Sequence, residues 1–265
     1  MSNENNLTYA LLPTYLVLDT SASMTLGNAF GAAFDFLPQL LDEIDKNAAI
    51  ADKLRVEVIT FDDGAHSVFP LGTSQALATW LKEKKQSPII PDGDRTNYGD
   101  AFRCLRQQIE KGVAQIRSDT YNGNPYKAYR PAVFFITDGA PNDDAGSRDK
   151  AFRELTDPSF YSRPNIICVG VGSAKPEDLA EYGAGRYGSD TYTVGNRKLV
   201  LVAKDGVAPS AALRTIIPAL VSSIVSSINN HGDSPNNDPD DIVGNLPLFE
   251  DEEEFEDLFE VMDNE

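Results

Sequence analysis

The sequence predicts a three-layer α/β sandwich: a mostly parallel central sheet with helices on both faces, followed by an acidic C-terminal tail. Three observations carry that expectation. Short runs rich in Val, Ile and Phe are apolar on both faces, as strands covered from two sides are. These runs alternate with segments whose apolar residues recur every three or four positions, the period of helices that bury one face. Acidic residues then crowd into the last 35 positions, where no lysine or arginine occurs.

The first strand is expected over residues 14–18, ending at Asp19. Residues 28–46 follow as a helix with Phe30, Phe34, Leu37, Leu41 and Ile44 on one face. Pro38 kinks this helix or ends its first part, because proline lacks the amide a helix interior needs. A second strand over 54–61 turns at Asp62-Asp63-Gly64 into a hairpin partner over 66–71. A short helix over 74–84 carries Leu77 and Leu81, with Trp80 beside them as a packing residue. A longer helix over 99–117 carries Phe102, Leu105, Ile109, Val113 and Ile116. Residues 118–130, with Tyr, Asn, Gly and Pro, read as a surface loop. Strands over 132–136 and 165–169 flank a helix over 146–155. A helix over 176–182, a fifth strand over 191–194 or 198–203, and a helix over 209–229 complete the pattern. The domain is expected to occupy residues 1–230 and the flexible acidic tail residues 231–265. Within the tail, 231–247 reads as a linker. Phe255, Leu258, Phe259 and Met262 stand at i, i+3, i+4 and i+7, one face of a short amphipathic helix.

Charge narrows the function classes. The 265 residues hold 41 acidic and 23 basic side chains, a net charge of −18. Fourteen of the acids follow residue 230, so residues 1–230 hold 27 acids and 23 bases, a net of −4. So acidic a chain repels phosphate backbones and anionic membrane surfaces, which argues against nucleic-acid and membrane binding. Divalent cations and basic partners suit it. Cys104 and Cys168 make no disulfide framework and read as buried thiols. The opening MSNENNL has neither the basic nor the apolar part of a signal peptide. The stretch 216–228, interrupted by Pro218 and serines, is too short to span a bilayer.

The chemistry concentrates at strand ends. Asp19-Thr20-Ser21-Ala22-Ser23 follows the first strand and offers a carboxylate and hydroxyls within five residues. These are hard oxygen ligands, suited to Mg²⁺ rather than to soft metals. Ligands of open α/β sheets gather at the carboxyl ends of strands. Alone the motif reads equally as a helix cap. Two further segments change the weighing: the polar loop from Asp94 through Thr96 to Ala101, and Thr137-Asp138-Gly139 at the end of another strand.

YLVLDTSASM, then Thr96 to Ala101, then VFFITDGAPND, in this order, resemble the von Willebrand factor A (vWA) fold, which is Rossmann-like, and its metal-ion-dependent adhesion site (MIDAS). Within that family LRVEVITFDDGAHSVFPL, YRPAVFFITDGAPND and NIICVGVG are most similar to TerY-like proteins of tellurite-resistance and stress-response clusters. The resemblance implies that Asp19, Ser21, Ser23, Thr96 and Asp138 hold a metal, directly or through water: Mg²⁺, with Mn²⁺ or Ca²⁺ as alternatives. A protein partner would donate a Glu or Asp to that metal. It also implies a cytoplasmic role in bacterial stress or phospho-signalling, with a kinase, a phosphatase or another tellurite-resistance protein as partner. Asp94-Arg95 departs from the Gly-Gly that many relatives carry before the threonine.

The remaining motifs are weak. Gly183 to Gly188 matches GxGxxG but follows a helix and precedes a strand, the reverse of the dinucleotide-binding order. His66 and His231 fit no metal or triad spacing and read as surface or edge residues. Asp143 and Asp144 read as a solvated turn. With no phosphate-cradling loop and no Ser or Cys paired with a His, the leading expectation is a non-enzymatic, Mg²⁺-dependent protein-interaction module. The alternatives are a vWA subunit of a chelatase-like ATPase machine and a metal-dependent hydrolase.

Overall fold

The computed structural model describes residues 9–46, 48–121, 123–185, 191–230 and 259–261. In chain order these form β1 (Ala10–Asp19), a 3₁₀ segment (Ala22–Asn28), α1 (Ala29–Phe34), α2 (Phe36–Lys46), α3 (Ala48–Lys53), β2 (Leu54–Phe61) and β3 (Ala65–Gly72). Next come α4 (Ser74–Lys84), α5 (Tyr98–Ser118), the short β4 (Thr120–Tyr121), β5 (Asn124–Pro125) and β6 (Lys127–Ala128), then β7 (Ala132–Thr137) and α6 (Ala145–Thr156). The chain continues through β8 (Asn165–Gly170), α7 (Pro176–Leu179), β9 (Ala184–Gly185), β10 (Thr193–Val194), β11 (Val200–Ala203), α8 (Pro209–Asn230) and β12 (Phe259–Val261).

The central sheet is the expected three-layer sandwich core. β1 pairs in parallel with β2 on one side and β7 on the other; β8 follows β7 in parallel, and β11 follows β8. β3 closes one edge antiparallel to β2. Strand residues alternate between two apolar layers, as a period of two requires. On β1, Leu12, Leu16 and Leu18 enter one layer with α1, α2, α4 and α8, while Tyr15 and Val17 enter the other. That second layer is aromatic: Tyr98 and Phe102 of α5 and Phe152 of α6 pack edge-on and tilted against Phe61, Phe135 and Tyr182. Trp80 packs between Phe34 and Phe69, the expected packing role. His66 is exposed on β3 and Cys168 is buried on β8.

Four local outcomes differ from the expectations. The 28–46 helix is two pieces, α1 and α2, and the break falls at Asp35, three residues before Pro38 rather than at it. The proline ring clashes with the carbonyl four residues earlier, at Phe34, so the backbone gives way between the two. Residues 48–53 form a helical turn, α3, that the apolar pattern was too short to signal. The 118–130 segment holds three short strands, one of which, β6, extends the sheet beside β1. The either-or over the fifth strand resolves into both β10 and β11.

A fifth difference concerns the tail. Phe259–Val261 is a strand, antiparallel to β11, with Ala203 opposite Phe259 and Leu201 opposite Val261. Phe259 is 2% exposed and joins the layer that holds Leu201 and Ala203. The amphipathic-helix expectation is therefore corrected at Phe259; Phe255, Leu258 and Met262 lie outside the described residues. The physical reason is the free edge of β11, which offers backbone partners that a short acidic helix does not replace. Among the described residues no helix is long and apolar enough to cross a membrane. Phe259→Ala is expected to lower stability by about 3 kcal/mol in urea denaturation and to speed hydrogen exchange at β11 amides. An unchanged midpoint with unchanged β11 exchange would contradict the docked strand.

Candidate metal centre

Strand register builds the site. Asp19 closes β1 opposite Phe61, and Leu18 stands opposite Ile136, so the carboxylate arrives level with Thr137 of β7. Asp19 is fully buried. Its two oxygens accept from the Ser21 amide at 2.8 Å and the Thr137 hydroxyl at 2.6 Å. One residue on, Asp138 accepts from the Ser23 hydroxyl at 2.8 Å, and the Ser21 and Ser23 oxygens lie 3.1 Å apart. Four of the five expected residues, Asp19, Ser21, Ser23 and Asp138, thus join one network. Thr96 arrives from a third segment. Its amide donates to the Asn142 side chain at 2.9 Å, and its carbonyl accepts from the Asn142 amide at 3.2 Å.

Several residues that sequence reasoning did not single out hold these segments together. Gly93 pairs with Ser21 in an isolated bridge and passes against Asp62, where an added Cβ would stand 2.2 Å from the Asp62 Cβ. Only glycine permits that approach. Asp62 in turn accepts from the Thr20 hydroxyl at 2.9 Å. Tyr98, the first residue of α5, donates to the Gly139 carbonyl at 2.7 Å and fixes the turn that bears Asp138. Ser173 donates from both its amide and its hydroxyl to the Asp138 carbonyl, at 3.0 and 2.8 Å. Asp143, read from sequence as a solvated turn, is instead a clamp. It accepts from the Gly99 amide at 2.7 Å, at the start of α5, and pairs with Arg148 at 2.6 Å. Asp144 caps α6 through the Ser147 amide at 2.8 Å. Its partner lies three residues away, so this contact was readable as a local cap; those of Asp143 and Asn142 reach across loops and leave no local signal.

Electrostatics fit the donor set to a cation. Burial, opposed by the Ser23 donor and assisted by the charge of Asp19, pushes the Asp138 carboxyl up to about 6. Burial likewise raises Asp19, opposed by Ser21 and Thr137 and assisted by Asp62. Among the described residues neither carboxylate has a basic partner. Nor does any group of three or more His, Cys, Asp or Glu side chains gather to hold a metal. The set is two carboxylates and hydroxyls, hard oxygen donors with little charge. Exposed Asp94 and Arg95 stand at its rim. The GxGxxG segment contributes only Gly183 and the short β9, its last three residues lying outside the described set.

The von Willebrand factor type A domain model matches residues 15–202. The chain belongs to that family. Among solved structures it is similar to proximal thread matrix protein 1 from the mussel byssus, with 17% identity and a TM-score of 0.56 over 82% of this chain and 49% of that one. The same protein with a zinc-occupied MIDAS motif matches at 18% identity and a TM-score of 0.54, over 82% of this chain and 48% of that one. The pilus adhesin SpaC from Lactobacillus rhamnosus GG, in its open conformation, matches at 16% identity and a TM-score of 0.53, over 83% of this chain and 31% of that one. The chain thus spans about half of the mussel protein and about a third of the adhesin. A search of curated proteins returns no match.

The raised carboxyls give a sign that can be checked. A folded-state pKa above the unfolded value means the folded chain binds extra protons between 3.8 and about 6. Metal-free stability therefore falls as pH rises through that window. Asp138→Asn is expected to flatten the fall and to gain about 1–2 kcal/mol over wild type at pH 7.5 in EDTA. Equal pH slopes for the two proteins in urea denaturation would refute the assignment.

Proposed function

We propose that this chain is a non-enzymatic interaction module that holds a divalent cation through Asp19, Ser21, Ser23, Thr96 and Asp138, and through it a carboxylate of a protein partner. The observation that carries the reading is the convergence of three loops on one pair of buried carboxylates that lack a basic partner among the described residues. Mg²⁺ suits these donors best, with Mn²⁺ or Ca²⁺ as alternatives. A cation with so few charged protein ligands stays electrophilic and attracts a partner's Glu or Asp. Apolar contacts flank the site. Leu26 lies three residues after Ser23 and Ile90 three before Gly93; they are 69% and 68% exposed. Apolar side chains beside a charged anchor are the usual makings of a protein interface.

The cellular setting belongs to the same proposal. A cytoplasmic role in bacterial stress or phospho-signalling, beside a kinase, a phosphatase or another tellurite-resistance protein, draws its support from the TerY-like sequence segments alone. Isolation of the protein that co-purifies with this chain in Mg²⁺ and is lost in EDTA tests that setting.

Isothermal titration with Mg²⁺ and Mn²⁺ tests the site. Ser23→Ala and Thr96→Ala are expected to weaken binding at least tenfold while leaving the melting temperature within a few degrees, since neither belongs to the apolar layers. Wild-type affinity in both variants would remove the assignment. Leu26→Ser with Ile90→Ser is expected to leave metal affinity unchanged and to weaken capture of the co-purifying partner about tenfold. Retained capture would exclude these two from the interface.

A further inference from the structure

The end of the sheet remote from Asp19 and Asp138 carries the opposite charge. There the segments entering β7 and β8 meet the last turn of α5 around a cavity of ≈ 140 Å³. Arg117, Arg130 and Arg163 all line it, and among the described residues no acidic side chain does. Each guanidinium lies over an aromatic ring: Arg117 at 5.2 Å from Tyr161, Arg130 at 4.9 Å and Arg163 at 4.2 Å from Tyr192. Arg130 also donates to the Arg163 carbonyl at 2.9 Å and is 8% exposed. Among the described residues, Arg117 and Arg163 make no ion pair. Asp157, just outside the lining, feels Arg163 but spends its carboxylate on the Ser159 amide and hydroxyl, at 2.7 and 2.5 Å.

We infer that this cavity is an oxyanion-binding site that takes a phosphoryl or carboxylate group presented on a peptide. Stacking occupies the face of a guanidinium and leaves its in-plane N–H donors directed away from the ring, in the fork that matches an oxyanion. Arg117 and Arg163, which make no ion pair among the described residues, are like charges facing one small space, and an anion between them relieves their repulsion. In a chain of net charge −18 the general field expels anions, so only converging donors retain one. A phosphoryl group or a carboxylate is of a size with the cavity. Tyr161, 77% exposed beside Arg117, supplies the aromatic contact that favours a peptide over a free ion. The inference is independent of the metal centre at the other end of the sheet.

Fluorescence anisotropy on the full chain in EDTA tests it. The probes are one labelled peptide in three forms: with a phosphoserine, with two glutamates in its place, and with two glutamines. The phosphoserine or glutamate form is expected to bind, the glutamine form to bind at least tenfold more weakly, and added NaCl to weaken the binding. Binding of the phosphoserine form alone assigns a phosphoryl ligand; comparable binding of the glutamate form assigns a carboxylate. Arg117→Ala and Arg163→Ala should each cost at least tenfold with an unchanged melting temperature, while Thr96→Ala binds as wild type. Absence of binding by either charged peptide, equal binding of the glutamine form, or wild-type affinity in the Arg117→Ala, Arg163→Ala double variant overturns the inference.

Discussion

The parallel register of β1 with β7 is the constraint on which the rest of the site depends. It brings Asp19 level with Thr137, so that Asp138 follows at the same end of the sheet. Burial raises the proton affinity of both carboxylates, Asp62 adds to that of Asp19 and Asp19 to that of Asp138, and among the described residues the surroundings answer with hydroxyls and amides rather than with a basic side chain. Everything beyond the strands then serves to hold loops against that pair: Gly93 against Ser21, Asn142 against Thr96, Ser173 against the Asp138 carbonyl. Burying that pair without a basic partner among the described residues consequently costs stability.

Much of this was legible in the sequence because strands buried on both faces announce themselves. The run at 54–61 coincides with β2, and 74–84 with α4, whose start is marked by Thr73 capping the Ala76 amide at 3.3 Å. The five candidate site residues were legible from type and order, and four of them meet in one hydrogen-bonded network. Their burial was not. A polar loop reads as surface, yet Ser21, Thr96 and Asp138 are 4%, 7% and 4% exposed, because loops from three directions close over them. Tertiary clamps such as Asn142 and Asp143 depend on approach between loops and have no periodicity to betray them. Phe259 shows the same limit from another side. Its spacing fits a helix, but an open strand edge at β11 outweighs a local preference three residues long.

The two ends of the sheet carry opposite electrostatic signs. At the carboxyl ends of β1 and β7 stand carboxylates without a basic partner among the described residues; at the amino ends of β7 and β8 stand stacked arginines. The aromatic layer between them runs without a break from Phe61 through Tyr98 and Phe102 to Tyr182. Such a body separates two charge-recognising surfaces by the length of its strands, so that neither neutralises the other across the intervening apolar layer.

The strand at Phe259–Val261 has a consequence in time. Synthesis proceeds along the chain, so β11 emerges from the ribosome about 60 residues ahead of β12, a lag of about 3–12 s at ordinary translation rates. Throughout that interval the outer edge of β11 is an unpaired template beside other nascent chains. The later half of the stretch made during the delay, residues 231–258, contains eleven acidic residues and no lysine or arginine. Its charge repels the same stretch on a neighbouring polysome partner and holds the two open edges apart until each chain supplies its own closing strand.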